Sequence, residues 1–232
     1  MRKKMFSFIA GIIMLPGFAI TNAQDCRLFF PEKVGAMREM KFYDAKNKLG
    51  AISRQEILDK EVSGKDVKVK VKATNYNSDE EEVYTSELLL VCEDGIFKLD
   101  MQSLLDPATM AAYKDMKIEV TADNLVYPNN MKVGDNLPDG NMKVVVKSEQ
   151  LTLITITLAV SNRKVDAIED IKTEAGTFSC FKLSYDINSK FGFINKSGSV
   201  VEHISEGVGI VRSESFNKKG KTEGHSILTA LK

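Results

Sequence analysis

The chain has 232 residues, in which 32 Lys+Arg balance 32 Asp+Glu; it holds three cysteines, two histidines and no tryptophan. A neutral net charge gives no overall electrostatic pull toward nucleic acid or an anionic membrane. Without tryptophan, an aromatic sugar-stacking platform would have to rest on Tyr or Phe.

Arg2, Lys3 and Lys4 form a positive start, and Phe6 to Ile20 is an apolar run without charge. Thr21-Asn22-Ala23 supplies small residues for cleavage before Gln24. The apolar run is shorter than the ~20 residues a spanning helix needs, which favours a signal peptide over an uncleaved anchor. Cys26 raises the question of lipid attachment, but Gln24-Asp25 before it are not small. Residues 1–23 therefore read as a signal peptide. Residues 24–232 read as a single exported domain, periplasmic or extracellular, with no transmembrane anchor after cleavage. Loss of the three basic leader residues leaves it slightly acidic.

The mature chain reads mainly as strands. A four-stranded meander is expected over residues 35–92. Its clearest member is Val67-Lys68-Val69-Lys70-Val71-Lys72, whose period of two puts valines on a core face and lysines in water. Asn75 to Glu82 reads as a polar turn, and Asp94-Gly95 as a hairpin signal before Ile96 to Leu99. Residues 100–116 break the pattern. Asp106-Pro107 is a helix start, which predicts one or two short helices with Met110 and Tyr113 among their apolar contacts. Asn124 to Gly140 is rich in turn residues and reads as the junction between two halves. Leu151 to Val160 is the most apolar strand, uncharged on both faces, and is expected to be covered on both sides or to face an apolar cleft. Extended segments follow at about 165–174, 177–187, 190–204, 208–217 and 226–231. The expected class is all-β: antiparallel sheets forming a sandwich, open barrel or clamshell.

An oxidising compartment makes one cysteine pair plausible. In the meander, the start of strand one and the end of strand four lie at one end of the sheet, so Cys26 and Cys92 are the expected disulfide partners. Cys180 lies in a strand pattern and is expected to be a buried thiol. The stretches Tyr43 to Lys48 and Phe216 to Lys221 share an aromatic, an Asx, and then Asn or Gly before Lys. This fits either two related half-sheets or one hairpin chemistry used twice.

The run Gly207-Val208-Gly209-Ile210-Val211-Arg212-Ser213-Glu214-Ser215-Phe216-Asn217-Lys218-Lys219-Gly220-Lys221 resembles the C-terminal signature of the TapB-like proteins, related to domain-of-unknown-function β-clamshell proteins of Gram-negative envelopes. Cys26 with Phe30-Pro31, Asp123-Asn124-Leu125 to Pro138-Asp139-Gly140, and Gly176 to Cys180 carry the same resemblance across nearly the whole mature chain. His203 stands where an aromatic is more usual. These are turn and strand signatures. The resemblance implies an envelope location and a clamshell, and no established activity or catalytic residues.

No catalytic constellation emerges. His203 and His225 lie in strand or turn contexts, and Ser197-Gly198-Ser199 reads as a turn, not a nucleophile elbow. Asp79-Glu80-Glu81-Glu82 reads as a solvated loop. Asn75, Asn77 and Asp79 imitate the start of a calcium loop, but Glu80 stands where its glycine belongs. No cofactor or metal is expected. The function expected is a non-enzymatic binding protein holding a hydrophobic or lipid-like ligand, with Ile154, Ile156, Leu158, Met110 and Tyr113 lining the cleft. The alternative is an assembly protein that pairs with an envelope component through its surface or a sheet edge.

Overall fold

A computed structural model describes residues 26–104, 116–149 and 151–232. The expected leader, Met110 and Tyr113 lie outside these residues. The strands are β1 (Met37–Asp44), β2 (Leu49–Ser63), β3 (Asp66–Asn77), β4 (Glu82–Glu93), β5 (Ile96–Asp100), β6 (Lys117–Ala122), β7 (Asn124–Pro128), β8 (Gly140–Ser148), β9 (Leu151–Thr173), β10 (Gly176–Phe191), β11 (Ile194–Ser205), β12 (Gly209–Asn217) and β13 (Thr222–Leu231). A single 3-10 turn, Met101–Leu104, is the helical structure among the described residues.

All thirteen strands belong to one sheet, in the order β6-β8-β9-β10-β11-β12-β13-β1-β2-β3-β4-β5-β7. Every ladder is antiparallel, as expected of an all-β chain built from hairpins. The outermost strands, β6 and β7, are separated in sequence by Asp123 alone. The Asp123 amide donates to Asn141 O at one edge of the sheet, and its carbonyl accepts from the Met101 amide at the other. This one residue carries the hydrogen bonding from edge to edge, so the sheet is a nearly closed barrel. Closure of this kind leaves little free edge for unwanted pairing.

The meander forms as β1 to β4. In β3, Val67, Val69 and Val71 are buried, while Lys68, Lys70 and Lys72 are exposed. Each buried valine contributes roughly 1.5 kcal/mol or more. Two boundaries differ from expectation. The segments 151–160 and 165–174 are one strand of 23 residues. Nothing between them stops a strand: Ser161-Asn162-Arg163-Lys164 contains neither Gly nor Pro. Asn162 takes a left-handed φ of 55°, and two register shifts against β10 bend the strand without ending it. Conversely, 190–204 is divided by a hairpin at Gly192-Phe193, where Gly192 has a φ of 58°. Of the segment 100–116, where helices are expected, Met101–Leu104 forms a 3-10 turn; the helix start expected at Asp106-Pro107 lies outside the described residues.

The similar stretches at the chain ends are hairpin turns, and there is a third copy. Asp44 Oδ1 accepts from the amides of Lys46 and Lys48 at 2.8 and 2.9 Å. Asn217 Oδ1 accepts from Lys219 and Lys221 at 2.9 and 3.1 Å. Asn77 Oδ1 accepts from Asp79 and Glu81 at 3.0 and 2.9 Å. The left-handed position falls at Asn47, Gly220 and Glu80 respectively. Shared hairpin chemistry therefore accounts for the echo, and the calcium-like spacing at Asn75 to Asp79 belongs to one of these turns.

Candidate functional site

The barrel interior is occupied near its centre by the segment that precedes β1. Cys26 is disulfide-bonded to Cys92, and Leu28, Phe29 and Phe30 are buried. Phe29 packs against Phe97, Tyr127 and Phe181, with ring centroids 6.1, 5.9 and 6.2 Å away. The strap is also held by its backbone: Leu28 O accepts from the Gly207 amide, and the Arg27 amide donates to Asn129 Oδ1. Gly209 passes close beneath it at a φ of 93°. A β-carbon there would lie 3.1 Å from Phe29 O and 2.7 Å from an Arg38 nitrogen. This explains the second glycine of Gly207-Val208-Gly209 as a packing requirement. Cys26, with its sulfur committed to Cys92, has no free thiol to carry a lipid.

Beside the strap lies a buried group of charges that the sequence reading did not single out. Glu202 accepts from the Tyr185 hydroxyl at 3.1 Å, while its other oxygen has no protein partner. Burial pushes the Glu202 carboxyl up, opposed by the Tyr185 hydrogen bond and by the charges of Arg163 and Arg38. Burial lowers Arg38 to about 10, so it remains charged at neutral pH. Arg38 stacks over Phe30 and donates to Ile210 O. Arg163 stacks over Tyr127 and donates to Pro138 O at 2.8 Å. The available sequence signal was a carboxylate set among valines and isoleucine in Val200-Val201-Glu202-His203-Ile204, a position where burial demands a partner.

The expected cleft residues lie on β9, next to β8. Ile154 pairs with Val146, Ile156 with Val144, and Leu158 with Met142. Those partners in turn face Ile118, Val120 and Ala122 across the β6 ladder. Val144 and Val146 are fully buried and Met142 is buried. Ile154, Ile156, Leu158, Ile118 and Val120 pack on the same core but remain partly open to solvent. The strip continues outward to Phe191, which pairs with Ile156, and to Ile194, which pairs with Phe191. Exposure rises along it, from 3% at Val160 through 40% at Phe191 to 70% at Ile194. Apolar surface thus runs without interruption from core to water. Ile154, Ile156 and Leu158 come together; Met110 and Tyr113 lie outside the described residues.

The remaining chemistry-bearing groups sit elsewhere. His203 lies 3.3 Å from Glu169, whose carboxyl is held below the ordinary range chiefly by its hydrogen bond from Lys182. His225 stacks on Tyr43. Cys180 is a buried free thiol, pushed up to about 11 by burial. Asp79 to Glu82 form the rim turn already described.

A family model described as DUF3108-like matches residues 33–228. Among curated proteins, none matches. Solved structures are also similar to this chain. A Bacteroides fragilis protein, titled as exported and as having a YmcC-like fold, is 25% identical, with a TM-score of 0.74; the match covers 89% of this chain and all of that one. A Parabacteroides distasonis protein titled as a lipoprotein is also 25% identical, with a TM-score of 0.75 and coverage of 90% and 100%. These matches agree with the domain-of-unknown-function side of the expected resemblance; the TapB-like name has no counterpart among them.

Proposed function

This chain belongs to the DUF3108-like family, and from that premise we propose that it is an exported, non-enzymatic envelope protein that holds a hydrophobic, lipid-like ligand against the inner face of β8 and β9. The observation that carries this reading is the strip through Ile156, Phe191 and Ile194, where apolar side chains leave the core and stay partly open. A site that buries an alkyl chain needs such a surface, with few polar groups to desolvate. The leader at residues 1–23 and the relatives titled as exported or lipoprotein support export. The narrower TapB-like relationship belongs to the same proposal and rests on the motifs quoted for it.

The sheet-edge alternative is less well supported. The outermost strands, β6 and β7, have six and five residues and are bridged by Asp123.

Native mass spectrometry of the mature protein purified from cells tests the cleft. A bound acyl species is expected, and Ile156→Trp, which fills the strip, reduces its occupancy severalfold. An empty protein that also takes up no added long-chain fatty acid overturns the reading.

A further inference from the structure

The barrel rim that carries the turns at Asp44, Asn77 and Asn217 is uneven. Gly198 pairs with Asn217, the last residue of β12, so Ile194 to Ser197 of β11 run on beyond the β12 ladder, a distance of about 13 Å. The last pair of β10 joins Phe191 to Ile156 and the Gly192 amide donates to Thr155 O, so Leu151 to Ile154 of β9 reach farther still along β8. These two projecting tips carry the apolar surface. Phe193 is wholly exposed, Leu151 is 71% and Leu153 51% exposed, and Phe191 and Ile194 lie beside them.

The geometry points to these tips as a docking surface for an anionic phospholipid bilayer. Two observations select a bilayer over a protein. First, the apolar groups sit at the free ends of two neighbouring hairpins, projecting beyond the rim. A protein partner more often covers a strip along a sheet face or edge, whereas an end-on apolar tip fits insertion into an interface that surrounds it. Second, the flank of the β10–β11 tip is basic, with Glu149 the one exposed acid described in the β8–β9 turn. A depression beside β11 is lined by Lys196, Lys218 and Lys219 against the single carboxylate of Glu223, which pairs with Lys196 at 2.9 Å. Lys190 stands on β10, paired with Asn195. Lysines beside an apolar tip each add attraction to an anionic surface over about a Debye length. Neutral net charge conceals this, because the fold gathers beside β11 lysines that lie apart in sequence, while the acidic Asp79 to Glu82 turn of the same rim joins strands five or more places away in the sheet. The inference goes beyond the cleft reading and does not depend on a bound ligand.

Flotation of the mature protein with mixed phosphatidylcholine–phosphatidylglycerol vesicles tests it. The parent is expected to float with these vesicles, and less with phosphatidylcholine alone or at high salt. The double variant Phe193→Ser/Ile194→Ser loses roughly tenfold or more of its partitioning with an unchanged melting temperature. Lys218→Glu/Lys219→Glu loses the preference for phosphatidylglycerol. Leu89→Ser, a control at an exposed leucine on β4, floats like the parent. A parent that does not float, or tip variants that float unchanged, overturns the inference. So does sedimentation showing a dimer that the tip substitutions dissolve, since a second copy would then be the occupant. The parent and Ile156→Trp together separate the two readings. The variant is expected to lose acyl occupancy and still float. A parent that floats but takes up no acyl chain refutes the cleft alone, and a parent that binds an acyl chain but does not float refutes docking alone.

Discussion

Two kinds of hairpin share one rim of this barrel. The turns joining β1 to β2, β3 to β4 and β12 to β13 satisfy their own backbones, with an Asx side chain accepting two amides in each. They end in charged or small residues. The hairpin joining β10 to β11 instead ends in Phe193 beside Ile194, and the one joining β8 to β9 carries Leu151 in its last strand pair. The Asx turns are complete in water. The apolar tips leave large side chains solvated, although the same chain elsewhere alternates valine and lysine with regularity. Closing a strand pair therefore does not require exposed phenylalanine, and the tips call for an explanation outside folding.

If that contrast is right, the two kinds of turn respond oppositely to substitution. The largest effect on stability belongs to neither. Cys92→Ser releases the strap that carries Phe29 and costs about 2–5 kcal/mol in urea denaturation. Vesicle flotation of the still-folded protein is expected to persist, because the tips stand apart from the strap; its loss would tie tip exposure to strap position.

Glu202→Gln probes the interior by pH. Burial holds the Glu202 carboxyl above its unfolded value. Its contribution to stability is full when the group is protonated below that unfolded value, and is lost as pH rises through the folded one. The variant is therefore expected to melt above the parent at alkaline pH, with the gap closing on acidification. A gap that widens in acid would reverse the assignment.

The smallest effects compare the turns directly. Asn217→Ala removes two side-chain acceptor bonds and is expected to cost about 1 kcal/mol, with flotation retained. Phe193→Ser is expected to change stability by less than about 0.5 kcal/mol while weakening flotation. Equal stability losses at the two positions would mean that Phe193 packs in the fold, and the comparison would collapse.

Much of the fold was legible in local pattern. The alternation at Val67 to Lys72 announced a half-wet antiparallel strand, and the Asx-x-x-Asn/Gly spacing announced hairpins, because both are set by period and by neighbouring residues. The uncharged run Leu151 to Val160 marked the strand that supplies Ile154, Ile156 and Leu158. The continuity of β9 was less visible: polar Ser161 to Lys164 look like a connection, yet bulges let a strand bend and continue. Glu202, Arg38 and Arg163 were missed because they are far apart in sequence and each resembles an ordinary surface charge.

The sequence by itself determined the strand class, the turn chemistry and the candidates for the apolar strip, since these depend on contacts between near neighbours. Only the tertiary structure decided that Asp123 bridges the two edges of one sheet, that Phe29 packs inside it against Phe97, Tyr127 and Phe181, and that lysines from β11 and the β12–β13 turn gather beside Asn195. The reason is physical: closure and clustering depend on strand order and register, which bring distant residues together and leave no periodic signal along the chain.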